Sequence, residues 1–296
     1  MFVRRSVIGI LVIFFHVFAF YFYFYWEQNK SVELIPDIRI QQSLQLGIGW
    51  LAHNEDKILA ENNAMLWWML QQSALLTHDK KLVDLFAKYQ SKYLTGQHNN
   101  MWLPLFNTHS WIPVRYEQIR HFPYYNKHFI YSLSCDQDLA KIPEIAEQDQ
   151  PDFCDWHPLR PACVTHQLMG IRMQQRRGCA ADAGVLQHTV EALQQRIVRQ
   201  LTWDPRVVDV YLQRVMMLLE SGAGEQLKPI WITRVVEAQS MSGGWGNFEP
   251  IVSVGEGKYF GFTQSGFGIK RPQDTFHATI QGVYIMSLLS SLNNNH

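Results

Sequence analysis

His277, Gln281 and Tyr284 stand four and three residues apart in the run "TFHATIQGVYIMSLL". On a helix that spacing places an imidazole, an amide and a phenol on one face, flanked by Ile280 and Val283. Such a row can hold a ligand by hydrogen bonds and, through the imidazole, move a proton near neutral pH. Asp274, just ahead of the run, is expected first as a helix cap and second as an acid. Glu249 and Asp274, beside Trp102 and Trp111, have the residue types for lyase, epimerase or hydrolase work on a glycan. Hydrolysis needs two carboxylates within about 10 Å across a groove. Trp245, in the glycine-rich turn "SGGWG", completes this group of pocket candidates.

Two further groupings carry possible chemistry. His188 and Glu191 lie opposite the apolar stripe of their helix, with Gln195 continuing the face. At i, i+3 they could act as a general base and its orienting acid if the helix faces a cavity; on an outer helix they face water. The stretch "DFCDWHPLRPACVTH" offers Cys154, Asp155, His157, Cys163 and His166, whose types suit zinc. Their spacing matches no C-x2-C pattern, and oxidised cysteines cannot ligate as thiolates, so no metal is expected. His166 shares a face with Met169, Gly170 and Met173 and reads as a packing or capping residue. Phosphate-binding loops, serine nucleophile elbows and HExxH are absent, and no cofactor is expected.

Helices must position these groups. In "TWDPRVVDVYLQRVMMLLESG", Asp204 reads as N-cap, Pro205 as the first helical residue and Gly222 as the stop, with Val208, Tyr211, Leu212, Val215, Leu218 and Leu219 as the buried stripe. Leu186, Val190, Leu193, Ile197 and Leu201 mark a helix from Asp182 to Gln200. Others are predicted at Ile38–Ala52, Glu61–Leu76, Lys80–Leu94, Gly224–Gln239 and Thr275–Leu289, joined by short breaks that favour antiparallel neighbours in an all-α domain. Two regions, at about 96–131 and 135–163, are rich in aromatics, prolines and turns. They read as functional insertions or as covers over one end of the scaffold.

The first thirty residues differ from the rest. Val7 to Trp26 carry no formal charge, and twenty helical residues at about 1.5 Å each span a bilayer core of about 30 Å. The aromatic exit "FYFYFYW" is unlike a signal-peptidase site, so an uncleaved signal-anchor is expected. His16 is then a tolerated polar residue. Arg4 and Arg5 precede the span, and Tyr21, Tyr23, Tyr25 and Trp26 would form an interfacial belt. That reading gives a single-pass transmembrane helix over residues 7–26 with a bilayer as partner. The tip, within residues 1–30, is cytoplasmic and the 31–296 domain is exported, most simply into a bacterial periplasm from the inner membrane.

Four cysteines fit an oxidising compartment. Cys163 and Cys179 bracket a predicted helix ended by Gly178 and would be on the order of 20 Å apart, beyond the ~7 Å Cα reach of a disulfide. Two pairings remain: Cys154 with Cys163 and Cys135 with Cys179, or Cys135 with Cys163 and Cys154 with Cys179. The short proline-stiffened loop between Cys154 and Cys163 favours the first. Charge is balanced at 26 basic and 26 acidic residues, which leaves no field to attract nucleic acid.

Gln239, Gly243 and Trp245 resemble the Q-x3-G-x-W motif of squalene and oxidosqualene cyclases. Gly266, Phe267, Pro272, Asp274, His277 and Gly282 are similar to the last repeat of protein prenyltransferase β subunits. Both families share an α/α toroid, a ring of helix pairs around an apolar cavity, so the resemblance, over residues 231–289, implies an all-α toroid-like domain. It implies neither family's chemistry. The cyclase D-x-D-D run is missing, and the one Asp-x-Cys, Asp152 to Cys154, lies far upstream of His277.

Three functions are compatible with these residues. The first is a pocket protein that binds or processes an apolar chain or a glycan through Trp245, His277, Gln281 and Tyr284. The second is a carbohydrate-active enzyme on the same scaffold. The third is a non-enzymatic scaffold subunit that holds a membrane protein partner through its aromatic loops.

Overall fold

Local signals set several helix ends. Asn63 Oδ1 accepts a hydrogen bond from the Met65 amide at 3.2 Å, and Asp79 Oδ1 one from the Lys81 amide at 2.8 Å, so each caps the helix that follows. Gly178 closes its helix in the left-handed region, at φ +65°. The computed structural model describes residues 2–96, 100–156, 160–179 and 183–293. Its principal helices are α1 (Phe2–Asn29), α2 (Asp37–His53), α3 (Ala64–Thr77), α4 (Lys80–Tyr89), α5 (Tyr124–Ser134), α6 (Cys163–Arg177), α7 (Ala183–Trp203), α8 (Asp209–Glu220), α9 (Pro229–Glu237) and α10 (Phe276–Asn293). One-turn helices fill much of the interval between α4 and α6.

α10 is the hub. It is apolar on nearly every side, as a helix enclosed by others must be, and it packs against α2, α3 and α8. Ile280, Val283, Ile285 and Met286 have no exposed surface. α5, α6, α7 and α8 continue the packing in sequence, α6 lying against α5 and α7, with α4 and α9 outside. The region between α4 and α5 is not an exposed loop: Ile112, Val114 and Ile119 build a small second core with Ile130, Leu139 and Ile145. Trp111 alone of its tryptophans stays largely exposed.

The expected all-α domain is corrected by an antiparallel sheet of three strands, β1 (Phe248–Gly255), β2 (Lys258–Thr263) and β3 (Gly266–Lys270), in the order β1-β2-β3. Phe248 pairs with Thr263, and Phe262 with Phe267. Between β1 and β2 the two turn residues Glu256 and Gly257 have φ of +52° and +71°, the positive pair that a two-residue hairpin turn requires.

The transmembrane anchor is corrected as well. Among the described residues no helix is long and apolar enough to cross a membrane. The far end of α1, expected as an interfacial belt, is docked on the domain. Gln28 is fully buried; its Nε2 donates to Leu201 O at 2.7 Å and to Tyr211 Oη at 3.1 Å, its Oε1 accepts from Arg234, and its carbonyl from Trp231 Nε1 at 2.9 Å. Tyr25 packs on Trp203, and Phe24 on Phe262. The membrane, signal-anchor and single-pass inner-membrane assignments, with the cytoplasmic tip and periplasmic domain built on them, fall with the anchor.

Smaller corrections have local causes. Asp204 does not cap α8, which starts five residues later behind Val208. Its carboxylate instead bonds Arg206 and Arg214, which hold its pKa below the ordinary value although burial acts the other way. The helix expected over Gly224–Gln239 is split by Pro229 into a single 3-10 turn and α9. The start predicted at Asp182 lies outside the described residues.

Candidate functional site

The N-terminal ends of five helices converge on one cavity of about 620 Å3. α3 brings Ala64 and Met65, α5 Tyr125, α6 His166, α8 Asp209 and Gln213, and α10 His277. Trp102 and Phe122 close it from the 96–131 region, and Asn247 and Gln264 from either end of the β1–β2 segment. The positive ends of the helix dipoles therefore face the cavity.

His277 and Asp209 meet in this cavity as an imidazole–carboxylate pair. Nδ1 of His277 lies 3.6 Å from Oδ2 of Asp209, longer than a hydrogen bond and within reach of a small ring rotation. Asp209 is buried, and among the described residues its Oδ1 has no hydrogen-bond partner. A buried carboxylate oxygen left without a donor costs free energy that a ligand donor would recover. The His277 side chain is 46% exposed, so its far nitrogen can meet a ligand. Gln213 is held by Thr165, whose hydroxyl donates to Gln213 Oε1 at 2.5 Å, leaving the amide nitrogen as a donor.

His166 lies across the cavity, stacked on Tyr125 with ring centroids 4.3 Å apart. Burial, and then the nearby His277, push its pKa down to about 4, so it is a neutral imidazole at neutral pH. Because the folded value lies below the unfolded one near 6.5, the native state disfavours the proton. The stability tied to His166 is present above pH 6.5 and lost as pH falls through about 4. Its loss should amount to on the order of 3 kcal/mol. Urea denaturation midpoints across that window should fall more steeply for the native protein than for His166→Gln; parallel profiles would refute the assignment.

Of the residues singled out in the sequence, the structure brings His277 and Trp102 to this cavity. His166, read as packing, joins them; Asp209 and Gln213 were seen only as members of a helix. Gln281 and Tyr284 share the face of His277 but lie deeper along α10. Both are buried, and neither lines the cavity. Tyr284 sits edge-on to Trp68, and burial raises its pKa.

Trp245, Glu249 and Asp274 line a separate cavity of about 390 Å3 and are held by structural bonds. Glu249 accepts from Arg234 Nη2 at 2.9 Å and from the Val207 amide at 2.7 Å. Asp274, expected to cap the first turn of α10, accepts instead from the hydroxyls of Ser240 and Ser242, while Thr275 Oγ1 takes the Ala278 amide of that turn. His188 and Glu191 are exposed, Glu191 accepting from Gln187 at 2.9 Å, so that face meets water.

The zinc-like grouping is dissolved by a disulfide. Cys154 pairs with Cys163 at a Cα separation of 5.7 Å, and Cys135 with Cys179 at 5.2 Å, the pairing that the short loop favours. Asp155 bridges Arg196, and His157 lies outside the described residues. Among the described residues no group of three or more His, Cys, Asp or Glu could hold a metal. Comparison with known proteins finds no matching family model, no matching curated protein and no matching solved structure.

Proposed function

We propose that the cavity at the helix N-termini binds a glycan unit and that His277, oriented by Asp209, exchanges a proton with it. The observation that carries this reading is the Asp209–His277 pair, with its partnerless carboxylate oxygen, set in a cavity lined by side-chain amides and aromatic rings. Asn62, Asn63, Asn126 and Gln213 offer donors and acceptors together, as sugar hydroxyls require, and Trp102 and Tyr125 offer flat apolar faces. The oxygens of Asn62, Asn63 and Gln213 already accept from Tyr89, Met65 and Thr165, and an apolar chain would leave the amide nitrogens facing it without an acceptor.

Among the described lining residues Asp209 is the one carboxylate, so the paired-carboxylate route of hydrolysis lacks its second member. Proton abstraction in a lyase or epimerase needs only a positioned base, and the helix ends would stabilise the negative charge that develops. The same field favours acidic sugars over neutral ones. The two disulfides fit a working environment that is oxidising.

The test is an oligosaccharide array of neutral and uronic acid members, followed by deuterium incorporation from solvent into any retained sugar. Retention of acidic members and exchange at a ring carbon are expected, with exchange reduced about 10²–10⁴-fold in His277→Ala. The exposed ring should cost less than about 1 kcal/mol of stability on removal. Absence of any retained glycan, or equal exchange by His277→Ala and the native protein, would sink the reading.

A further inference from the structure

A second cavity, of about 590 Å3, lies where α1 crosses the end of α7 and the sheet. Its size is within the ~300–1,000 Å3 of small-ligand sites. The walls are apolar and aromatic: Phe20 and Phe24 from α1, Trp203, Val164, Phe262 and Phe267. Its charged floor is made by Asp204, Arg206 and Arg214, with Arg160 at the exposed edge.

The charges on that floor do not cancel. Asp204 faces two guanidinium groups, Arg206 at 2.6 Å and Arg214 at 2.9 Å, so one positive charge is left over before Arg160 is counted. Arg206 is well satisfied, its Nη1 donating to Gln264 O at 2.7 Å in addition to the fork on Asp204. Arg214 is not. It is 3% exposed, and its Nε donates to Gln200 at 3.1 Å and its Nη1 to Asp204. Among the described residues its Nη2 has one long contact, 3.5 Å to Pro161 O. A guanidinium carries five N–H donors, and a buried one with spare donors calls for an acceptor.

We propose that this cavity is a binding site for a single-chain amphiphile with a carboxylate head, such as a long-chain fatty acid. The carboxylate would take the spare donors of Arg214, as charge-assisted hydrogen bonds favour, and the alkyl chain would lie between α1 and the aromatic wall of the sheet. A purely apolar ligand would leave the surplus charge unanswered, and a small hydrophilic anion would leave the aromatic walls wet. The site shares no lining residue with the proton-transfer cavity, so the two proposals stand or fall separately.

Calorimetric titration of the full chain with octanoate, decanoate and laurate, below their micelle concentrations, tests it. One molecule should bind per chain. Affinity should rise about tenfold for each two added methylenes, as hydrocarbon burial predicts. Methyl laurate, which keeps the chain and loses the charge, should bind at least tenfold more weakly than laurate, and so should laurate to Arg214→Gln. Should that variant fail to fold, Phe20→Asp, at a half-exposed wall position, should abolish laurate binding while leaving the far-UV circular dichroism intact. Equal affinity for laurate and its ester, affinity independent of chain length, or unchanged binding by Phe20→Asp would each overturn the proposal.

Discussion

Removing the Cys135–Cys179 bond, as the double variant Cys135→Ser, Cys179→Ser, should lower the unfolding free energy by about 4 kcal/mol. Removing Cys154–Cys163 in the same way should lower it by about 2.6 kcal/mol; both values follow from loop-closure entropy for spans of 44 and 9 residues. Guanidinium denaturation of the two variants gives the comparison, and equal losses would show that loop entropy is not the governing effect. The larger bond also has a place in the site. α5 and α6 both present their N-terminal residues, Tyr125 and His166, to the cavity, so they run parallel. The Cys135–Cys179 bond joins them at their C-terminal ends, far from the cavity. Its loss should loosen the Tyr125–His166 stack as well as destabilise the chain.

Trp245→Ala should cost about 3–5 kcal/mol, the range for emptying a large buried aromatic site. Trp245 is 1% exposed, its Nε1 donates to Val235 O at 2.7 Å, and its amide donates to Thr279 Oγ1 at 3.0 Å. Glycines on α2 and α10 admit the ring. A Cβ on Gly282 would come within 2.5 Å of its indole, and one on Gly47 within 3.0 Å of the ring and 2.6 Å of Val283. Gly282→Ala should therefore destabilise by overpacking where Trp245→Ala does so by leaving a cavity. Thermal unfolding of both against His277→Ala separates core from site. If Trp245→Ala folded as stably as His277→Ala, the tryptophan would not be the wedge between these helices.

The Q-x3-G-x-W resemblance thus lands on a packing device: Gln239 Nε2 donates to Ser43 O and Gly243 O, and Gly243, at φ +93°, lies hard against the Leu46 backbone. Its residues were legible because a tight turn, a short contact and a large ring each demand a particular side chain. Whether that device lines a cavity or fills one could not be read from them.

Short-range physics made several features readable from the chain alone. Apolar residues at threes and fours marked α7, because helix periodicity is a property of the segment itself, and the short breaks around them bounded α2, α3 and α10 to within a few residues. The length of α6 excluded one disulfide pairing, and nine residues of separation with two prolines favoured another. The sheet escaped because its strands are mostly exposed on both faces, so β1 and β3 show little of the alternation that marks a half-buried strand. Its one local sign was the "GEGK" turn between two β-branched and aromatic runs.

Tertiary structure alone decided the rest. The aromatic residues ending α1 satisfy a bilayer interface or a protein surface equally well, since hydrophobicity does not name its partner; Gln28 in a buried polar network settles the choice for that end. The pairing of Asp209 with His277 is likewise invisible along the chain. They belong to helices separated by α9 and the sheet, and only the packing of α8 on α10 brings the carboxylate to the imidazole.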